Sequence, residues 1–106
     1  MADIVIIKNN PLVEFISKAI EMGAYEIEIE YKDGYEEITV LKNQVGYGIA
    51  RLDSSSEEAS GLRNQLCLLQ ETEQGIMRIN GAEYKLRVEI YDSFAEDVFR
   101  LRIEKS

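Results

Sequence analysis

Asn10–Tyr31 reads NPLVEFISKAIEMGAYEIEIEY, and its repeat changes in the middle. Leu12, Phe15, Ile16, Ala19 and Ile20 recur at the spacing of one helical face. Asn10 is a good N-cap, and Pro11 suits the first helical position, where its missing N–H costs nothing. Gly23 can take the left-handed conformation that closes a helix. Beyond it the period becomes two, with Tyr25, Ile27, Ile29 and Tyr31 on one side and Glu26, Glu28 and Glu30 on the other. That alternation is a half-buried strand, and a helix packed on its apolar side would start a core.

Working outward, Lys32-Asp33-Gly34 is a turn with glycine free to take positive φ. Tyr35–Lys42 (YEEITVLK) follows as a second strand with Ile38 and Val40 inward, so the two strands form an antiparallel hairpin. Val45–Leu52 (VGYGIARL) reads as a third strand with Val45, Tyr47 and Ile49 on one face and Gly46, Gly48 and Ala50 on the other. Alternate glycines mark a bulge or a close approach by another backbone. Gly46 and Gly48 therefore define either a packing face crossed by a helix or a face open to a ligand. GYG opens no helix and lacks the Lys-Ser/Thr of a phosphate-binding loop.

Asp53–Glu58 (DSSSEE) starts a second helix, capped at Ser54 or Ser55, with Glu57 or Glu58 completing a capping box. Ala59, Leu62, Leu66 and Leu69 form its apolar stripe, Cys67 lies beside it as a buried thiol, and it ends near Gln70. After a loop over Glu71–Gly75, Ile76–Ile79 and Ala82–Tyr91 flank Asn80-Gly81, the strongest hairpin signal in the chain. A loop, DSFAED, leads to a final strand, Val98–Glu104, with Phe99, Leu101 and Ile103 inside and Arg100 and Arg102 outside. Asp3–Lys8 (DIVIIK) reads either as an edge strand or as a lead-in to the first helix. The expected fold is one α+β domain over residues 1–106, with a mainly antiparallel sheet of five to six strands and two helices on one face. Its order is α-β-β-β-α-β-β-β, with Asp3–Lys8 as an optional strand in front.

Composition limits the chemistry. A chain of 106 residues, 45% of them apolar, suits a single core without metal or disulfide. The single cysteine cannot form an internal bridge, which fits a reducing compartment. No apolar run approaches the roughly 18 residues of a membrane span, and the N-terminus has no basic region with a signal core, so a soluble cytoplasmic protein is expected. Net charge is −8 with no histidine, which excludes histidine catalysis and histidine metal ligands and argues against binding nucleic acid.

Candidate chemistry centres on Glu26, Glu28 and Glu30, with Glu36 and Glu37 nearby. Paired carboxylates can hold a metal or do acid–base work when burial separates their pKa values. Along one strand they instead line a solvated face. Ser54–Ser56 are explained by capping, and no base accompanies them. Neither catalysis nor a cofactor is expected.

Collinear short motifs give a resemblance. AIEMGAYEIEIEYKDGYEEITV (residues 19–40) resembles a stretch in the N-terminal, PAS-like domains of the traffic ATPases that drive type II secretion and type IV pili. There a helix ending Ala-x-x-x-Gly-Ala-Ser-Asp-Ile-His-Ile-Glu leads into a hairpin turned at Asp-Gly; Ala19, Gly23, Ala24, Ile27, Ile29, Glu30, Asp33 and Gly34 match. QGIMRINGAEYKLRVEIYDSFAEDVFRLRI (residues 74–103) is similar to the family's Gln-Asp-Gly-Arg, hairpin, Leu-Arg-Val, Phe-Gly-Glu and final strand, through Gly75, Gly81, Leu86, Arg87, Val88, Phe94 and Glu96. The match departs at Tyr25-Glu26 for Ser-Asp, Glu28 for His, Ile76 for Arg and Ala95 for Gly. It implies a chain ending about where a linker to a nucleotide-binding domain would begin. It also implies a domain that sits beside a neighbouring ATPase subunit and directs arginines toward its nucleotide. Only Arg87 holds such a position, and read without the family it is a solvent-facing strand residue.

Two functions compete. One is a non-catalytic interaction or oligomerisation domain that docks on an ATPase, on itself or on a machinery partner through the sheet face, using Arg87 and the glutamate row. The other is a small acidic inhibitor or immunity-type protein that covers a basic partner, steered by Glu26, Glu28 and Glu30. A small-molecule sensor using Gly46 and Gly48 is a third, resting on the PAS-like shape alone.

Overall fold

The computed structural model describes residues 4–6, 11–71, 74–79, 81–93 and 96–105. Its elements are β1 (Ile4–Ile6), α1 (Pro11–Glu21), β2 (Glu26–Lys32), β3 (Tyr35–Lys42), β4 (Val45–Asp53), α2 (Glu57–Glu71), β5 (Gln74–Ile79), β6 (Ala82–Ser93) and β7 (Glu96–Lys105). They form one sheet in the order β1-β5-β6-β7-β2-β3-β4, antiparallel throughout except for the pairing of β1 with β5. This is the expected α+β class and element order, and Asp3–Lys8 contributes the short edge strand β1 through Ile4–Ile6.

α1 ends as expected. Gly23 sits at φ 74°, the Ala24 N–H donates to the Ala19 carbonyl (2.9 Å) and the Gly23 N–H donates to the Ile20 carbonyl (2.9 Å). These are the two bonds of a Schellman closure, with Ala19 and Ala24 buried beneath it. The closure drops the chain into β2 with Ile27 and Ile29 buried. Leu12, Phe15, Ile16 and Ala19 of α1 and Leu62, Leu66 and Leu69 of α2 join them in one core with Ile38, Val40, Leu86, Leu101 and Ile103. Both helices therefore cover the same side of the sheet, and no helix among the described residues lies on the other side.

Several local expectations are corrected. Tyr25 and Tyr31 are exposed, because they stand at the ends of the β2 alternation, past the reach of the helices. Cys67 is exposed, since it falls beside the Leu62–Leu66–Leu69 stripe on the outer side of α2. Ser56, not Ser54 or Ser55, caps α2: its Oγ accepts from the Ala59 N–H at 3.1 Å, so the third helical position is alanine and no capping box forms. The Asp53 carboxylate instead accepts from the Ser55 N–H (2.9 Å) and hydroxyl (2.7 Å), and these bonds hold its pKa below the usual carboxylate value. Gln74 and Gly75 belong to β5 and Glu71 to α2, which shortens the expected loop. The loop expected over DSFAED also shrinks, because β6 and β7 stay paired as far as Ser93 and Glu96. Asn10, Asn80, Phe94 and Ala95, invoked above, lie outside the described residues, while Gly81 at φ 80° closes the β5–β6 hairpin. Asn43 and Gln44 make a primed turn that the sequence reading passed over, with φ of 53° and 67°.

A larger correction concerns Glu36. It shares the inner parity of Ile38 and Val40, and only 4% of it is exposed. The Arg63 guanidinium of α2 donates to its Oε1 at 2.5 Å and to the Ser54 carbonyl at 3.2 Å. The pair ties the start of α2 to β3 and satisfies the one buried carboxylate among the described residues.

Close packing also explains Gly75. A Cβ there would lie 2.1 Å from Leu69 Cδ2 and 3.4 Å from Leu86 Cβ, so any side chain at this position would force the buried Leu69 tip to move. Gly61, on the exposed side of α2, has open space where a Cβ would stand. In urea denaturation, Gly61→Ala should therefore stabilise the protein by about 1 kcal/mol, whereas Gly75→Ala should destabilise it by about 1–3 kcal/mol. Arg63→Ala strands the Glu36 carboxylate and should cost about 1–3 kcal/mol at neutral pH, read from the same transitions.

Candidate functional site

The uncovered side of the sheet carries the candidate site, and the strand register arranges it in rows. Arg87, Arg102, Glu26, Leu41 and Gly46 lie opposite one another across β6, β7, β2, β3 and β4. Glu89, Arg100, Glu28, Thr39 and Gly48 make the next row, and Tyr91, Val98, Glu30, Glu37 and Arg51 the third. Opposed residues of antiparallel strands share a face, so each row is a set of neighbouring side chains. β7 contributes positive charge to the centre of the face and β2 contributes negative charge beside it.

Glu28 is the most tightly held member. Its Oε1 accepts from Arg100 Nη2 at 2.5 Å and from the Tyr91 hydroxyl at 2.8 Å. Arg100 Nη2 also lies 3.4 Å from the Tyr91 oxygen, and the guanidinium stands 5.2 Å from that ring's centre. Its hydrogen bond to Glu28 raises the Arg100 pKa further. The Tyr91 phenol is pushed above the ordinary tyrosine value, first by burial and then by its hydrogen bond to the Glu28 carboxylate. Glu26 reaches Arg102 less closely, 3.9 Å to Nε, and Glu37 stands 3.8 Å from Arg51 Nε. Arg51 also lies over the Tyr35 ring, 3.9 Å from its centre. Arg87 is exposed opposite Arg102, and no carboxylate lies within 4.0 Å of it among the described residues.

The residues singled out by sequence thus fall into three groups. Glu26, Glu28 and Glu30 line the uncovered face as expected, but the first two stand beside arginines. Arg87 is on the same face, two strands away. Gly46 and Gly48 close the first two rows at the β4 edge, and no helix crosses them, which overturns the packing reading. A Cβ at Gly46 would meet Thr39 Cγ2 at 3.0 Å, whereas at Gly48 it would meet nothing within 4 Å. The bulge signal is borne out: Ile38 pairs with Ala50 and Thr39 with Gly48, leaving Ile49 as the extra residue. That insertion moves Ala50 to the core side, away from the two glycines. Sequence reading missed the roles of Arg100, Arg102 and Tyr91 because pairing between β2 and β7 spans most of the chain. Their outward parity was readable.

A concavity of about 480 Å³ opens at one end of this face, between the turn after α1 and the β3–β4 turn. Gly23, Glu26, Glu28, Lys42 and Arg100 are among the residues that line it. Among the described residues no three acidic or cysteine side chains converge to hold a metal ion, and no helix is long and apolar enough to cross a membrane. Among the side chains described, the face is nearly charge-balanced: Lys32, Arg51, Arg78, Lys85, Arg87, Arg100 and Arg102 share it with Glu26, Glu28, Glu30, Glu37, Asp53, Glu83, Glu89 and Glu104. No family model matches the chain, and no curated protein matches it.

The Glu28–Tyr91 bond can be tested by ultraviolet titration, with Tyr91→Phe assigning the signal. Tyr91 should ionise above the ordinary value of about 10, and Glu28→Gln should move it back toward that value. A raised phenol pKa favours the folded state while the phenol is neutral. This contribution is therefore present below the unfolded-state pKa and is lost as pH rises through the folded-state pKa.

Proposed function

We propose that this chain is a non-catalytic interaction domain that docks on a partner protein through its uncovered sheet face. The observation that carries the reading is Arg87. It lies directly opposite Arg102 with no carboxylate among the described residues to neutralise it, and like charges opposed across two strands are mutually destabilising. A partner carboxylate placed over Arg87 would relieve that repulsion and gain a charged hydrogen bond. The surrounding rows supply both signs of charge in fixed positions, which gives orientation and discrimination more than raw affinity.

The partner class follows from the resemblance: Arg87 occupies the one arginine position shared with the N-terminal domains of secretion and pilus ATPases, so an ATPase subunit of that kind is the proposed partner. An inhibitor steered by a bare acidic strip fits less well, because Glu28 is occupied by Arg100 and Tyr91, and Glu26 lies beside Arg102. The chemistry of the face is that of contact, with its most ordered carboxylate already holding two donors.

Affinity capture at low salt from the source cell tests this reading. The wild-type chain should enrich an ATPase of the secretion or pilus type, and Arg87→Glu should reduce that enrichment about tenfold, the scale of one well-placed charge pair. Capture of no ATPase, or equal capture by both forms, would overturn it.

A further inference from the structure

We infer that a second copy of this chain docks on the uncovered sheet face, with the two sheets stacked face to face about a two-fold axis parallel to the strands. The inference rests on that face being the docking surface and names a further partner for it. Its basis is the polarity of the rows. In two successive rows the cation is on β7 and the carboxylate on the adjacent β2: Arg102 beside Glu26, and Arg100 beside Glu28. A two-fold axis lying in the interface between those strands reverses the rows left to right and keeps their level. It sets Arg100 over the second copy's Glu28 and Arg102 over its Glu26, and makes the reciprocal contacts in the same operation. Such an interface is self-complementary, as two-fold symmetry requires.

Three further observations support this arrangement. The pairs within one chain leave bonding capacity unused: Glu28 receives both of its bonds on Oε1, and Arg100 donates through Nη2 alone. Glu26 stays 3.9 Å from Arg102, beyond hydrogen-bond distance. The face also has the size. The molecule measures 36 × 30 × 23 Å, and a sheet of seven strands about 4.8 Å apart offers on the order of 800 Å², near the area each partner contributes to a standard interface. Finally, the described side chains of this face nearly balance in charge, while Glu14, Glu21, Glu57 and Glu58 of α1 and α2 lie on the opposite, helical side. With a depth of 23 Å, much of that charge is more than a Debye length of about 8–10 Å from the interface, so screening removes most of the repulsion between the two copies.

The test uses a charge-swapped chain carrying Glu26→Arg, Glu28→Arg, Arg100→Glu and Arg102→Glu. Each swap keeps an opposite-charge pair within the chain, and it keeps the swapped chain complementary to itself. Against wild type it sets arginine over arginine and glutamate over glutamate. Sedimentation equilibrium at up to about 1 mM, a range that detects weak complexes, should show each form reaching twice the monomer mass. Native mass spectrometry of an equal mixture should show the two homodimers and little heterodimer. A statistical mixture with heterodimer as the major species overturns the proposed face. Wild type that stays monomeric overturns self-association, while the ATPase capture decides separately whether the face serves another protein. A concentration series of amide spectra on wild type covers the case in which the swapped chain does not fold. Shifts confined to the sheet, largest on β2 and β7 and next on β6 and β3, support the stacking, and shifts centred on α1 or α2 refute it.

Discussion

The burial of Ile27 and Ile29 beneath the two helices is the constraint on which the rest of the molecule depends. β2 lies inside the sheet with β7 on one flank and β3 on the other, so its parity is transmitted both ways. Side chains alternate with a period of two, and a slip of one residue would put three glutamates into the core. With the isoleucines fixed inward, Glu26, Glu28 and Glu30 must face outward. Pairing then dictates what stands beside them: Arg100 and Arg102 on β7, Leu41, Thr39 and Glu37 on β3. The charged face is therefore a consequence of core packing, and its pattern is as rigid as the sheet that carries it.

The inner side shows what happens when the same parity places a carboxylate beneath a helix. Glu36 follows Ile38 and Val40 inward and would be an uncompensated buried charge without Arg63. The Arg63 side chain is only partly buried, so the ion pair is not fully enclosed while it neutralises the carboxylate. This arrangement avoids most of the desolvation cost of a fully enclosed pair. It also couples the position of α2 to β3, while Gly75 leaves room for the Leu69 side chain of the same helix.

Local pattern made most of this fold legible. The change of period at Gly23, the Asp33-Gly34 turn and the alternation through Ala82–Tyr91 each announce an element from a few residues. What escaped was information held between distant segments. Glu36 looks like one more solvent-facing glutamate until the strand parity is counted from Ile38, and its partner is 27 residues away. Cys67 looked buried because it adjoins a leucine stripe, and a turn of about 100° per residue suffices to carry it outside. The glycines of β4 gave a correct bulge signal and an incorrect packing one, since a bulge changes which residues share a face. The charged rows needed the β2–β7 pairing, which no short window contains.

The two levels of charge on the open face differ in kind, and that difference separates structure from recognition. Glu28 and Arg100 are closely paired and joined by Tyr91, and a single substitution there disturbs several bonds at once. Arg87 has no such engagement and sits where a partner would reach it first. The groups at the centre of the surface are thus already paired, and Arg87 beside them is a cation that a partner can neutralise. A face built this way discriminates by position: an incoming carboxylate gains at Arg87 and is repelled a few ångströms away beside Glu89 or Glu28. Net charge alone would miss this, because the rows nearly cancel. The recognition content lies in their order across the strands.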